Sequence, residues 1–184
     1  MAISEQHEPH RRDFLYIATG AFAAVGGVAA VWPLIHQMNP DASVQALASI
    51  EIDLSAIEVG QTVTVKWQGR PVFIRHRTPA EIKTAQDTPL ADLKDQIARN
   101  DGIDDNADAS DANRVVQPEW LIVVGVCTHL GCIPVKDQGD FNGWFCPCHG
   151  SHYDLSGRIR QGPAPENLLV PKYEFIGDDA VQIG

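Results

Sequence analysis

Cys127-Thr128-His129-Leu130-Gly131-Cys132 and Cys146-Pro147-Cys148-His149-Gly150-Ser151 hold all the cysteines of this 184-residue chain, each pair grouped with one histidine. Thiol and imidazole recurring together in two short stretches point to a redox metal site. One Cys and one His from each stretch, Cys127-x-His129 and Cys146-x-x-His149, make four ligands converging from two loops. Cys132 and Cys148 are then left over, and a disulfide between them is the economical assignment, because it locks the two loops together.

A Cys2His2 set also suits a tetrahedral structural zinc, a reading that the paired spare cysteines argue against. A plant-type iron–sulfur site needs Cys-x4-Cys-x2-Cys; Cys127-x4-Cys132 begins that run, but Val135 stands where the third cysteine belongs. The remaining arrangement is a [2Fe–2S] cluster with two thiolates on one iron and two imidazoles on the other. Together with Gly162-Pro163-Ala164-Pro165, the two stretches resemble the Rieske iron–sulfur subunit of bacterial quinol:cytochrome c oxidoreductases, the cytochrome bc complexes.

That resemblance implies a cofactor and a set of roles. Cys127, His129, Cys146 and His149 are expected to ligate one Rieske-type [2Fe–2S] cluster, and Cys132 and Cys148 to form the disulfide. Neutral imidazoles in place of thiolates leave the oxidised cluster less negative, so it accepts an electron more readily. Ser151 and Tyr153 follow the last ligand; hydroxyls donated to sulfur would stabilise the added electron, as matching hydroxyls do in the family. Iron-bound imidazole can give up its remaining N–H proton, which couples electron and proton uptake. His149 is therefore the expected acceptor of the quinol hydrogen bond and proton, with His129 the other exposed imidazole. The proline loop is expected to cover the cluster. Leu130 and Ile133 form either a docking tip or inward packing. The remaining histidines, His7, His10, His36, His76 and His152, read as solvent-exposed or incidental.

The formal net charge of −10 argues against nucleic acid as a partner. Residues 81–120 carry ten Asp or Glu against four Lys or Arg, which suggests a surface excursion. At the other end, Phe14 to Ile35 is a run of 22 uncharged residues, long enough as a helix to cross a bilayer. Arg11-Arg12 precede it, so the positive-inside rule leaves the N-terminus cytoplasmic and the bulk of the chain outside, which the family resemblance implies is the periplasmic side of a bacterial inner membrane. Arg11-Arg12-Asp13-Phe14-Leu15 resembles a twin-arginine export signal, a route for domains that take up cofactors before crossing. A cleaved signal ending near Ala46-Leu47-Ala48 is the rival reading, against which the length of the apolar run argues.

The expected organisation is a cytoplasmic N-terminus with the export signal over 1–13, an anchor helix over 14–37, a hinge or tether over 38–49, and a Rieske domain over 50–184 with a cluster-binding subdomain at 127–154. Alternating apolar residues predict strands at 50–54, 62–67 and 71–75, the last two joined by a turn at Gln68-Gly69-Arg70. Residues 79 to about 99 favour helix interrupted by Pro89, 101–113 reads as loop, and 120–126 as a buried strand leading to the first ligand loop. Phe141 to Phe145, with a turn at Asn142-Gly143, leads to the second, and strands are expected over 168–170, 172–176 and 180–183. The fold class is mainly β, an antiparallel sandwich with a small inserted subdomain and one N-terminal transmembrane helix.

The expected function is one-electron transfer from ubiquinol to a c-type cytochrome, as the iron–sulfur subunit of a membrane quinol–cytochrome c reductase, inactive alone. Cytochrome b, a c-type cytochrome subunit and ubiquinol are the expected partners, in a complex that is a homodimer of the multi-subunit unit. The alternatives are a Rieske ferredoxin serving an oxygenase, a membrane-tethered zinc-stabilised binding module, and a thiol–disulfide oxidoreductase using Cys132 and Cys148.

Overall fold

A computed structural model describes residues 10–41 and 48–184. Residues 42–47 of the 38–49 tether, Ala46 and Leu47 of Ala46-Leu47-Ala48, and residues 1–9 of the export signal lie outside the described residues. The chain divides into two units, 1–45 and 46–184.

The first unit is the helix α1, Arg11–His36. It begins a turn earlier than the apolar run, where the His10 N–H donates to Asp13 Oδ2 at 2.7 Å. Its 26 residues span about 39 Å. No residue of it is buried, and it is the only helix among the described residues long and apolar enough to cross a membrane.

The second unit is built from three antiparallel sheets. β1 (Ile50–Asp53), β10 (Ala180–Ile183) and β9 (Tyr173–Ile176) form one, joining the start of this unit to the end of the chain. β2 (Thr62–Trp67), β3 (Arg70–His76) and β4 (Trp120–Val124) form the second. Gln68 and Gly69, both at positive φ, make the two-residue hairpin between β2 and β3, the geometry that matches strand twist. The third sheet runs β5 (Val135–Lys136), β6 (Trp144–Cys146), β7 (Ser151–Tyr153) and β8 (Ile159–Gln161), so its last strand lies beyond residue 154.

The middle sheet is a shared wall, which explains why Trp120-Leu121-Ile122-Val123-Val124 is apolar throughout. Val72, Ile74, Ile122 and Val124 face a core completed by Leu54, Ile57, Val181 and Ile183. The alternate residues Phe73, Leu121 and Val123 face a second core containing Cys127, Trp144, Cys146, Tyr153 and Leu168. A strand covered on both faces cannot show the polar half of an alternating pattern.

Several expectations change. The helix after Pro79 is α2, Pro79–Gln86, capped by Thr78 and Glu81 in a reciprocal box; beyond it Pro89 leaves only a short 3-10 turn, Leu90–Asp92. The second ligand loop is reached by a hairpin from β5 to β6, with Asn142 at positive φ near its end, and β6 does not begin until Trp144. Residues 168–170 make an isolated bridge, Asn100 with Val170, in place of a strand. His76 is neither exposed nor incidental: its ring stacks on Trp120 at 4.1 Å and its Nδ1 lies 2.8 Å from the Ile57 carbonyl. His152 is half-buried on β7, its Nδ1 accepting from the Asp140 N–H.

The acidic 81–118 stretch is not a simple surface excursion. Leu93, Asp95, Ala98, Ala109, Asp111 and Arg114 are buried. Arg77 pairs with Asp111 at 2.6 Å, and Asp111 also accepts from the Ser156 hydroxyl. Arg114 donates to the carbonyls of Ala98, Ser156 and Leu168. Burial lowers Arg114 to about 10, against the pull of Asp154, so it is still charged at neutral pH. Charges at this depth persist only when every donor finds a partner, which these do by seizing backbone carbonyls.

Candidate metal centre

The first ligand loop leaves β4 at Gly125, where a Cβ would run into the Phe73 ring. It is closed by backbone bonds, Cys127 N–H to Cys132 O at 2.8 Å and Gly131 N–H to Cys127 O at 2.9 Å. The second loop is closed by Gly150 N–H to Cys146 O at 3.0 Å. Gly131 and Gly150 both sit at positive φ, so each tight turn uses a residue with no Cβ penalty.

These turns bring the sequence-predicted residues together. Cys132 and Cys148 form a disulfide across the loops. Cys127 and Cys146 remain free and buried, while the His129 and His149 rings stand 4.6 Å apart at 88°, His149 exposed and His129 half-buried. Leu130 and Ile133 project into solvent beside them, 70% and 57% exposed. The sulfurs of Cys132, Cys146 and Cys148 also lie within 4.8 Å of one another, but two of them are consumed by the disulfide and cannot serve as ligands.

The donor set fits an iron–sulfur group. His129 Nδ1 is buried without a hydrogen-bond partner, an expensive state for an imidazole nitrogen unless a metal takes it. Burial pushes the Cys127 thiol up, but the Tyr153 hydroxyl, the His129 N–H and the Ser151 hydroxyl outweigh it and hold Cys127 below its ordinary value. Burial dominates at Cys146, which is held above. Burial and the adjacent sulfur of Cys127 raise Tyr153 well above the ordinary phenol, keeping it a proton donor.

Tyr153 is fully buried on β7 and donates to Cys127 Sγ at 3.3 Å while accepting the Thr128 N–H at 3.3 Å. Ser151 Oγ accepts the Ala164 N–H at 3.2 Å, which ties the proline loop to the second ligand loop. Gly162 makes that approach possible, since a Cβ there would strike Gly150 O and Ser151 Cα. Thr128, which the sequence did not single out, exchanges hydrogen bonds with Glu166, donating to its carbonyl at 2.7 Å. Asp95 and Asn167 also escaped notice; they meet across 72 residues, Asn167 N–H reaching Asp95 Oδ2 at 3.0 Å, and no local pattern announces such a pair.

Two buried thiols and two outer imidazoles on disulfide-latched loops define a Rieske-type iron–sulfur protein. The Rieske [2Fe-2S] domain model matches residues 91–174, and a model described as the Fe-S subunit TAT signal of ubiquinol–cytochrome c reductase matches residues 1–41. Ubiquinol-cytochrome c reductase iron-sulfur subunits are similar over nearly the whole length: 56% identical in Cereibacter sphaeroides, covering all of both chains, and 54% in Rhodospirillum rubrum, covering 96% of this chain and 93% of that one. A chain of a hyperthermophilic respiratory Complex III is similar in structure, with a TM-score of 0.51 and 28% identity over 90% of this chain and 98% of that one. The chain belongs to the family of ubiquinol–cytochrome c reductase iron–sulfur subunits.

Proposed function

We propose that this chain carries one electron at a time from ubiquinol to a c-type cytochrome haem, held beside cytochrome b by α1, in a complex that pairs as a homodimer. The observation that carries the reading is the division of the site: two thiols buried beneath hydroxyl donors, two imidazoles turned outward. Cys127 and Cys146 would hold the inner iron, and His129 and His149 the outer one. The [2Fe–2S] group supplies a one-electron couple at a potential raised by its neutral ligands.

The chain's own residues do the rest. His149, the more exposed imidazole, accepts one quinol hydroxyl's hydrogen bond and would hold that hydroxyl's proton on its ring as one electron is passed on; the second electron would go to a haem of cytochrome b and the second proton to solvent. Leu130 and Ile133 provide an apolar rim that excludes water where quinol or cytochrome docks. Tyr153 and Ser151 aim hydroxyl protons at sulfur and favour the reduced state. Residues 1–13 carry the export signal with the N-terminus cytoplasmic, 14–37 anchor the chain, 38–49 tether and hinge it, and 50–184 form the periplasmic Rieske domain, with its cluster-binding part at 127–154. Electron paramagnetic resonance on dithionite-reduced membranes, with iron and acid-labile sulfide analysis, tests this. A nitrogen-ligated [2Fe–2S] signal is expected; zinc with no inorganic sulfide would sink it.

A further inference from the structure

The proline loop has an unusual economy of donors. Pro163 and Pro165 have no N–H, so Ala164 and Glu166 supply the donors of the 163–166 run, and each is spent on a hydroxyl of a ligand loop: Ala164 N–H on Ser151 Oγ at 3.2 Å, and Glu166 N–H on Thr128 Oγ1 at 3.3 Å. The carbonyls of Gly162 and Ala164 point elsewhere, whereas that of Glu166 accepts from the Thr128 hydroxyl. Lys94 Nζ donates to Gly162 O at 2.7 Å and to Ala164 O at 2.9 Å, gathering the carbonyls on both sides of Pro163 onto one ammonium. Ala164 is thus held at both ends, its N–H by Ser151 and its carbonyl by Lys94, and it is fully buried between them.

Lys94 comes from a segment that is itself anchored. Asp95, next in sequence, accepts Asn167 N–H at 3.0 Å and Arg99 Nε at 2.9 Å, and the Asn167 side chain donates to the carbonyls of Asp95 and Ile97. The far end of the proline loop is therefore fixed to residues 95–97 without Lys94. What Lys94 adds is control of the 162–164 turn that touches Ser151.

Resting on the Rieske reading above, we propose that Lys94 is a positioning residue of the redox site: by holding the carbonyls of Gly162 and Ala164 it fixes the Ala164 N–H on Ser151 Oγ, which leaves the Ser151 hydroxyl proton free for a sulfur of the site. An oxygen that already accepts a well-placed N–H has its remaining freedom narrowed, and the proton then has one good acceptor. The ammonium acts as a clamp of point-charge character on two carbonyls, a geometry that a guanidinium can also span. Removing it frees the turn, spreads the hydroxyl over several orientations, and weakens the bond that favours the reduced site.

The test is an EPR-monitored redox titration of the full-length, membrane-bound protein as wild type, Lys94→Met, Lys94→Arg, Ser151→Ala and the Lys94→Met/Ser151→Ala double variant. Lys94→Met is expected to lower the midpoint potential with iron and sulfide content unchanged, and Lys94→Arg to restore most of the difference. In the Ser151→Ala background, Lys94→Met is expected to produce no further shift, because the hydroxyl it positions is gone. Hydrogen exchange at Ala164 is expected to quicken ~10-fold in Lys94→Met, and this readout carries the test should that variant lose its cluster. A wild-type potential in cluster-loaded Lys94→Met, an undiminished shift in the Ser151→Ala background, or unchanged exchange at Ala164 overturns the proposal. Wild-type protein lacking iron and sulfide would instead overturn the Rieske reading itself.

Discussion

Replacing Tyr153 by Phe removes one oxygen from a fully buried ring and leaves the ring's packing on Trp144, Cys127 and Leu168 in place. The oxygen sits 3.3 Å from Cys127 Sγ and donates to it. Hydrogen bonds to charged acceptors contribute about 1.5–3 kcal/mol, and only the part that grows when an electron arrives moves the potential. With an increment of about 1 kcal/mol, a one-electron couple at 59 mV per 1.4 kcal/mol falls by roughly 40 mV. The sign is fixed: a donor to sulfur stabilises the more negative state, so its loss makes reduction harder. The same variant also strands the Thr128 N–H, which gives up its 3.3 Å acceptor, so some stability should be lost independently of potential. An EPR redox titration on membranes reads the first effect and thermal unfolding of the loaded protein reads the second. A potential within ~10 mV of wild type at full cluster content would refute the assignment of Tyr153 as an electronic contact.

Cys132→Ser opens a cross-link between residues 16 apart, a loop whose closure entropy is about 3 kcal/mol; denaturant unfolding should register most of it, and cluster loss on dialysis should quicken while the initial potential is kept. Asp111→Ala leaves the fully buried Arg77 guanidinium without its carboxylate, and a destabilisation of about 3–5 kcal/mol is expected in the same assay; a change below ~1 kcal/mol would mean the pair is not desolvated as it stands. Burial raises Glu81, but Arg75 and the Thr78 amide outweigh it and hold the folded carboxyl below its ordinary 4.5. The folded form therefore binds that proton less tightly than the unfolded chain does, and the stability it contributes is complete above about pH 4.5 and lost as pH falls through the lower folded value. Glu81→Gln should melt at lower temperature than wild type at pH 7, with the gap closing below pH 4; a gap independent of pH would refute the Arg75 pairing.

The metal site was legible because its information is local. Each ligand loop is six residues long, its glycines mark the tight turns, and the chemistry of Cys and His at that spacing admits few alternatives. Strands with one wet face, such as Thr62–Trp67, were legible for the same reason. The acidic stretch was misread because composition weighs all its charges as solvated. Yet Asp95, Asp111 and Arg114 are buried, and the partners that make this tolerable lie at Asn167, Ser156, Arg77 and Leu168. Lys94 was invisible on the same grounds, since nothing near residue 94 announces a carbonyl 68 residues away. The four ligand-sheet strands are two or three residues each, too short for any periodicity to declare.

The acceptors of Arg114 set an order of events. Its guanidinium is satisfied by carbonyls at residues 98, 156 and 168, so no nascent chain that ends before the last of these can bury it complete. Until then Arg114 lacks one of its acceptors, and its full set is reached only when 16 of the 184 residues remain to be added. Such late, long-range closure belongs to slowly folding topologies. A product truncated before residue 168 therefore leaves the Arg114 guanidinium short of an acceptor, which makes this contact a marker of a completed chain.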